Sequence, residues 1–286
     1  MTLRSYAELM KLRIGLMVAL MAVMGYVAIA RHVDGGALAL LAVAMLLGSA
    51  ASSVFNHYYD RDIDQLMTRT QRRPLANGTN AHPARVLWFA AFLLAAGCGL
   101  AMVYFNLLVA MHLFLGAFFY AVIYTVWLKR RHWTNIVIGG AAGSFAVLAG
   151  GAAVDPGQWL LPFLLAITLF LWTPSHFWAL AILLKDDYAK ASVPMLPVVK
   201  GVPATAKAIF INTILLVGST LLPLVFGQLG WAYGAGAIGL GAWFTWDCWR
   251  LLKTPDRLLA RRVFLGSMIY LVGLFVAVLV DVNWPG

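Results

Sequence analysis

Apolar residues in this chain are gathered into long unbroken blocks separated by short polar stretches. Nine blocks are long enough to cross about 30 Å of hydrocarbon at 1.5 Å per helical residue, at roughly 12–30, 37–57, 86–104, 107–127, 135–153, 158–183, 208–226, 229–249 and 263–281. Backbone amides in lipid must be satisfied within their own segment, so each block predicts a helix rather than a strand. The stretches between blocks are unequal. Those around Asp34, Asn106, Asp155 and Gln228 are short, whereas 58–85 and 184–207 are long and rich in turn residues. The pattern predicts an all-α polytopic membrane protein: a bundle of nine transmembrane helices forming one domain over 1–286. Long connections in compact domains tend to carry function, so 58–85 and 184–207 are expected to form the active face.

The basic residues assign an orientation to that bundle. Arg4, Lys11 and Arg13 precede the first block, and Arg61, Arg69, Arg72, Arg73 and Arg85 follow the second. Lys129, Arg130 and Arg131 follow the fourth, Lys185, Lys190, Lys200 and Lys207 the sixth, and Arg250, Lys253, Arg257, Arg261 and Arg262 the eighth. Of the 21 Lys and Arg residues only Arg31 falls on the other side of a nine-span chain. A miscounted span would scatter the clusters, so their agreement predicts a cytoplasmic N-terminus and an outside C-terminus.

Composition agrees. The chain of 286 residues is 62% hydrophobic and 11% charged, against about 25% charged in an ordinary soluble domain. A net charge of +10 does not point to nucleic acid, because the cations sit where topology signals sit. The N-terminal MTLRSYAELMKLR has no signal-peptide cleavage pattern, so the first block is expected to be a retained helix. A bacterial inner membrane is the simplest home, with an imported organellar protein as the alternative. Cys98 and Cys248 match no metal or redox spacing and read as inert core thiols.

Two polar clusters break the apolar pattern on the predicted cytoplasmic side. Asn56, Asp60 and Asp64 recur every four residues, which on a helix aligns them along one face about 6 Å apart. Hard oxygen donors at this spacing suit Mg²⁺, which prefers one or two carboxylates plus substrate phosphates. Arg69, Arg72 and Arg73 follow, with planar multi-donor heads fit for diphosphate oxygens. The sixth block ends in Asp186-Asp187-Tyr188, on the same predicted side. Carboxylates from two helix ends would hold a metal–diphosphate from both flanks and stabilise the leaving group as its carbon–oxygen bond breaks. His176 lies ten residues before Asp186, about 15 Å deeper, where an imidazole ligates haem iron, carries a proton or simply packs. Pro174 is expected to kink its helix.

The strings NHYYDRDIDQLMTRTQRRPL (56–75), WLKRRHWTNIVIGGAAG (127–143) and TPSHFWALAILLKDDYAKASVPMLPVVKG (173–201) resemble the protohaem IX farnesyltransferases, or haem O synthases, a branch of the UbiA-type intramembrane prenyltransferases. The NxxxDxxxD pattern marks the superfamily, and HFWAL, DDY and PMLPVVKG mark the branch. The resemblance covers nearly the whole chain. It implies Mg²⁺-dependent transfer of a farnesyl group from farnesyl diphosphate to a vinyl group of haem B, with water addition, giving haem O. By position it implies Asn56, Asp60, Asp64, Asp186 and Asp187 as the catalytic set, with Asn56, Asp60, Asp64 and Asp187 at the metal. Arg69, Arg73, Lys129 and Arg130 would meet the diphosphate, and His176 and His57 would meet haem. A haem A synthase or terminal oxidase subunits are the implied protein partners. Lys190 stands where many UbiA relatives complete a DxxxD, and Gly143-Ser144-Phe145-Ala146-Val147 lacks a Pro-Pro expected there.

Such a reaction ionises an allylic diphosphate and shelters the cation in a dry apolar cavity, for which Trp127, Trp172 and Trp178 are candidate walls. The rivals are a UbiA-type enzyme for an aromatic quinone precursor, a secondary transporter and a non-catalytic haem-binding protein. The last would leave Asn56, Asp60 and Asp64 idle.

Overall fold

The computed structural model describes residues 2–30, 32–76 and 83–283, and all its regular elements are helices. Arg31 and the 77–82 part of the predicted 58–85 connection lie outside the described residues. The chain opens with α1 (Leu3–Met10), α2 (Leu12–Ile29), α3 (Gly35–Tyr59), α4 (Arg61–Asp64) and α5 (Pro83–Tyr104). It continues through α6 (Leu107–Phe118), α7 (Asn135–Gly139), α8 (Ala141–Val154), α9 (Leu160–Leu183) and α10 (Lys185–Lys190). The last elements are α11 (Leu196–Val199), α12 (Gly201–Thr220), α13 (Leu222–Val225), α14 (Trp231–Lys253) and α15 (Arg257–Asn283).

Among the described residues, eight helices are long and apolar enough to span a membrane, and they coincide with eight of the nine predicted blocks. The remaining block, 229–249, is the 23-residue α14. Its length suffices, but glycines, tryptophans, Asp247 and Arg250 dilute its hydropathy. The chain is thus an all-helical, multi-pass membrane protein.

Small residues set how closely the helices approach. A Cβ built on Gly150 of α8 would overlap the Ala22 carbonyl of α2, and one on Gly25 would overlap the Val147 carbonyl. Without a hydrophobic drive in lipid, such backbone contact is a main source of helix association. Further along, α9 passes Pro174 without interruption. Beside it Asn212 Nδ2 donates to the Leu171 carbonyl at 2.6 Å and to Ser175 Oγ at 2.8 Å, tying α9 to α12.

One end of the bundle is closed by short capped turns. Asp34 Oδ1 accepts from the amides of Gly36 and Ala37 at the start of α3. Asn106 caps α6 at Val109 and donates to the Ala152 carbonyl at 2.7 Å, and Asp281 accepts from the amides of Gly230 and Tyr233. The other end carries the basic clusters. There amphipathic α1 lies across the bundle, with Leu9 buried against α3 and α5 and Tyr6 edge-on to Phe89 at 4.9 Å.

Candidate active site

The carboxylates of the first motif gather at the basic end because α3 breaks there. It ends at Tyr59, Asp60 caps it with non-helical backbone, and the single turn α4 carries Asp62 and Asp64 onward. Asp60 is fully buried, and Asn56 and Asp64 are 3% and 1% exposed. Ionised groups survive such burial only when paired and hydrogen-bonded, and each here has its partners. Asn56 Nδ2 donates to Asp60 Oδ2 at 2.7 Å and to Thr125 Oγ1 at 3.1 Å. Its Oδ1 accepts from Lys11 Nζ at 2.8 Å. An ammonium only donates and a carboxylate only accepts, so the Asn56 amide has one allowed orientation.

Asp60 also pairs with Lys129 through Oδ2 and with Arg130 through Oδ1 at 3.3 Å. Arg73 Nη1 bridges both oxygens of Asp64 at 2.9 and 2.8 Å, and Thr70 Oγ1 donates to the Asp64 carbonyl. Arg130 reaches past Asp60 to both oxygens of Asp62 at 2.7 Å and stacks over Tyr59 at 4.8 Å. That bond holds the Asp62 carboxyl below its usual value and the Arg130 guanidinium above its own.

Lys129 and Arg130 reach the aspartates because α6 unwinds before them. From Phe119 to Leu128 it becomes a π-helix, a form concentrated at functional sites. Its wide turns let Lys129 N donate to the Tyr124 carbonyl and Thr125 Oγ1 to the Tyr120 carbonyl. Asn135, fully buried at the start of α7, donates to the Lys129 carbonyl at 3.3 Å.

The second motif meets the first. Asp187 on α10 accepts from the backbone amides of Thr68 and Arg69, both at 3.3 Å. Partial burial pushes its carboxyl up, but these amides and the Lys190 charge outweigh it and hold it below the ordinary value. The Arg69 guanidinium lies beside Tyr188, whose hydroxyl is buried and therefore raised. Asp186 points to solvent and forms no hydrogen bond among the described residues. Four carboxylates (Asp60, Asp62, Asp64, Asp187) thus meet five cations (Lys11, Arg69, Arg73, Lys129, Arg130), an excess of positive charge suited to a polyanion.

The two histidines stand apart. His57, next to Asn56, is 3% exposed, and neither ring nitrogen has a hydrogen-bond partner among the described residues. His176 stacks on Trp172 at 4.3 Å and packs on Phe264. Its Nδ1 meets Ser267 Oγ at 2.7 Å while that hydroxyl donates to the Phe264 carbonyl. With the Ser267 hydroxyl donating to that carbonyl, the neutral ring places its proton on Nδ1 and leaves Nε2 as an acceptor. The helices bearing the two rings, α3 and α9, do not touch. Of the tryptophans, Trp178 is buried, whereas Trp127 is 55% exposed and faces away from the interior.

Sequence reading passed over Lys11, Thr125 and Asn135. Lys11 resembled a topology signal, but it sits at the α1–α2 joint in left-handed backbone (φ 46°), its ammonium turned inward. Burial, then the charges of Arg73 and Lys129, hold that ammonium well below its ordinary value.

The donor set fits Mg²⁺ in company with a diphosphate and not alone. No cluster of three His, Cys, Asp or Glu side chains able to hold a metal exists among the described residues. Asp60, Asp64 and the Asn56 carbonyl supply oxygens, and the surrounding cations demand an anion beside them.

Comparison with known proteins agrees with this geometry. Residues 14–278 match the UbiA prenyltransferase family model, and the chain belongs to that family, whose members are prenyltransferases. Among curated relatives it is 59% identical to protoheme IX farnesyltransferase 1 of Paramagnetospirillum magneticum, over 99% of this chain and 100% of that protein. It is 44% identical to protoheme IX farnesyltransferase of Xanthomonas campestris, over 87% and 84%. In fold it matches a structure described as digeranylgeranylglyceryl phosphate synthase, with TM-score 0.80, 21% identity and 98% coverage of both chains. It also matches a UbiA homologue from Archaeoglobus fulgidus bound to DMAPP and Mg²⁺, with TM-score 0.74, 17% identity and coverage of 96% and 99%.

Proposed function

We propose that this protein transfers the farnesyl group of farnesyl diphosphate to a vinyl carbon of haem B, with addition of water, releasing haem O and diphosphate. The observation that carries the reading is Asp60, buried and bonded at once to Asn56, Lys129 and Arg130. The 59% identity to a protohaem IX farnesyltransferase over essentially the whole chain supports the substrates.

Asn56, Asp60 and Asp64, with Asp187 across the gap, would hold Mg²⁺ against the diphosphate, and bound metal would stabilise charge on the leaving group. Lys11, Arg69, Arg73, Lys129 and Arg130 bind the phosphate oxygens, with Arg73, Lys129 and Arg130 trading carboxylate partners for diphosphate ones. Asp186 stands at the solvent edge of the same site. The apolar helix walls exclude water from the allylic cation. His57, beside the motif, and His176 through Nε2 are the groups offered to haem. Haem A synthase or terminal oxidase subunits are the protein partners proposed to take up the product.

The proposed setting is one domain of nine spans in a bacterial inner membrane, with the N-terminus and active face cytoplasmic and the C-terminus outside. The basic clusters at one end of the bundle support this orientation. Purified protein given haem B, farnesyl diphosphate and Mg²⁺ should form haem O, read by mass spectrometry. No haem O, together with prenylation of a phenolic acid, would move the assignment to the quinone branch.

A further inference from the structure

An open apolar groove lies between α12 and α14. It offers about 540 Å³, lined by Phe210 and Val217 from α12 and by Gly241, Ala242, Trp246 and Trp249 from α14. Neither α12 nor α14 touches α3, so the groove is no part of the acidic centre. Gly241 sets its shape: a Cβ there would come within 2.7 Å of Val217 Cγ1, so the helices meet at that level. Trp246 and Trp249 stack at 4.9 Å and are 57% and 37% exposed.

The groove runs along α14 from Ile238 to Trp249, about 16 Å of helix and close to half of the roughly 30 Å hydrocarbon core. Beyond Trp249, at the basic end, Lys253 holds its ammonium 5.8 Å from the indole ring. On the facing helix Lys207 lies one turn before Phe210. Both lysines are exposed, and neither forms an ion pair among the described residues.

The geometry points to a binding site for one phospholipid with an anionic headgroup. Its acyl chain lies in the groove for one leaflet's depth, its glycerol sits at the tryptophan pair, and its phosphate lies between Lys207 and Lys253. Indoles belong at that interfacial level. Two unpaired ammonium groups at one mouth favour a net negative headgroup over a zwitterionic one, which brings its own cation. A second copy of this chain fits less well, because a two-fold contact here would bring like-charged lysine pairs together.

The test is native mass spectrometry of the delipidated full chain in neutral detergent, titrated with phosphatidylglycerol and with phosphatidylcholine of the same acyl chains. Each lysine near the surface should contribute about a fivefold preference, so the wild type should retain phosphatidylglycerol on the order of 25-fold better. Lys207→Gln with Lys253→Gln should remove the preference and keep phosphatidylcholine binding. Ala242→Trp, which puts an indole into the groove, should weaken retention of both lipids, with thermal unfolding confirming that the variants are folded. Equal retention by the wild type would overturn the proposal. So would a preference that survives the lysine variant, retention of both lipids unchanged by Ala242→Trp, or a dimer occupying the groove instead.

Discussion

Asp60 carries more of the site than any other side chain. It is fully buried, and two cations and an amide converge on it. Asp62 lies two residues on, pairs with the same Arg130 and is 63% exposed. The contrast makes a prediction. Asp60→Asn should lower kcat for haem O formation by about 10²–10³-fold, the scale for removing one buried group that stabilises developing charge. Asp62→Asn should cost less than about fivefold, because exposed pairs contribute at most about 1 kcal/mol. Similar losses at the two positions would contradict the assignment. Lys11→Met should reduce turnover by about 10-fold or more if its ammonium reaches the diphosphate. At this scale the sequence was half legible. Asn56, Asp60 and Asp64 announce themselves as polar residues at a four-residue spacing running out of an apolar block. Lys11 does not, because a flanking lysine is normally a topology signal and only its left-handed backbone turns it inward. Asp187 was visible as a carboxylate, but its partners are backbone amides, which no side-chain pattern records.

Among the elements, the π-helical end of α6 does most to place the site, and the α2–α8 crossing packs the bundle behind it. Nothing in FYAVIYTVWL distinguishes a π-helix from an α-helix, so the sequence predicted a plain span over 107–127. The wide turn aims Thr125 at Asn56 and Lys129 at Asp60. Thr125→Val keeps the shape but leaves Asn56 Nδ2 one acceptor short. It should lower turnover about tenfold and thermal stability by about 1–3 kcal/mol, read in a thermal unfolding scan. Gly150→Leu forces a side chain into the Ala22 carbonyl and should destabilise the fold by at least about 3 kcal/mol, an overpacking that no rotamer relieves. Wild-type unfolding temperature in Gly150→Leu would show that α2 and α8 are not in contact. A different glycine marks the region where a proline pair was expected near 143–147: Gly140 stands between α7 and α8.

For the whole molecule, eight spans were legible from block length alone, and the ends shifted by a few residues where polar helix continued past the hydrocarbon. The α12 span begins at Gly201, ahead of the predicted 208, because Lys207 and the turn before it extend the helix into the polar zone. α14 shows the opposite case, a helix long enough to cross whose tryptophans and glycines weaken its apolar signal. Hydrogen bonds place Lys11, the turn after Asp64, Lys129 and Asp187 at one end, which the charge pattern alone had suggested. With Cys98 and Cys248 replaced by serine, an impermeant maleimide added to intact spheroplasts should label Gln158→Cys and spare Lys190→Cys. The reverse pattern would invert the bundle.

The claim beneath all of this is that Asp60 and Asp64 hold a divalent ion jointly with a diphosphate. Titration with Mn²⁺, followed by electron paramagnetic resonance, tests it with a non-ionising farnesyl diphosphate analogue present or absent. The account predicts tight Mn²⁺ binding only with the analogue, and its loss in both Asp60→Ala and Asp64→Ala. Equal Mn²⁺ binding without the analogue, or binding that persists in those variants, would contradict it.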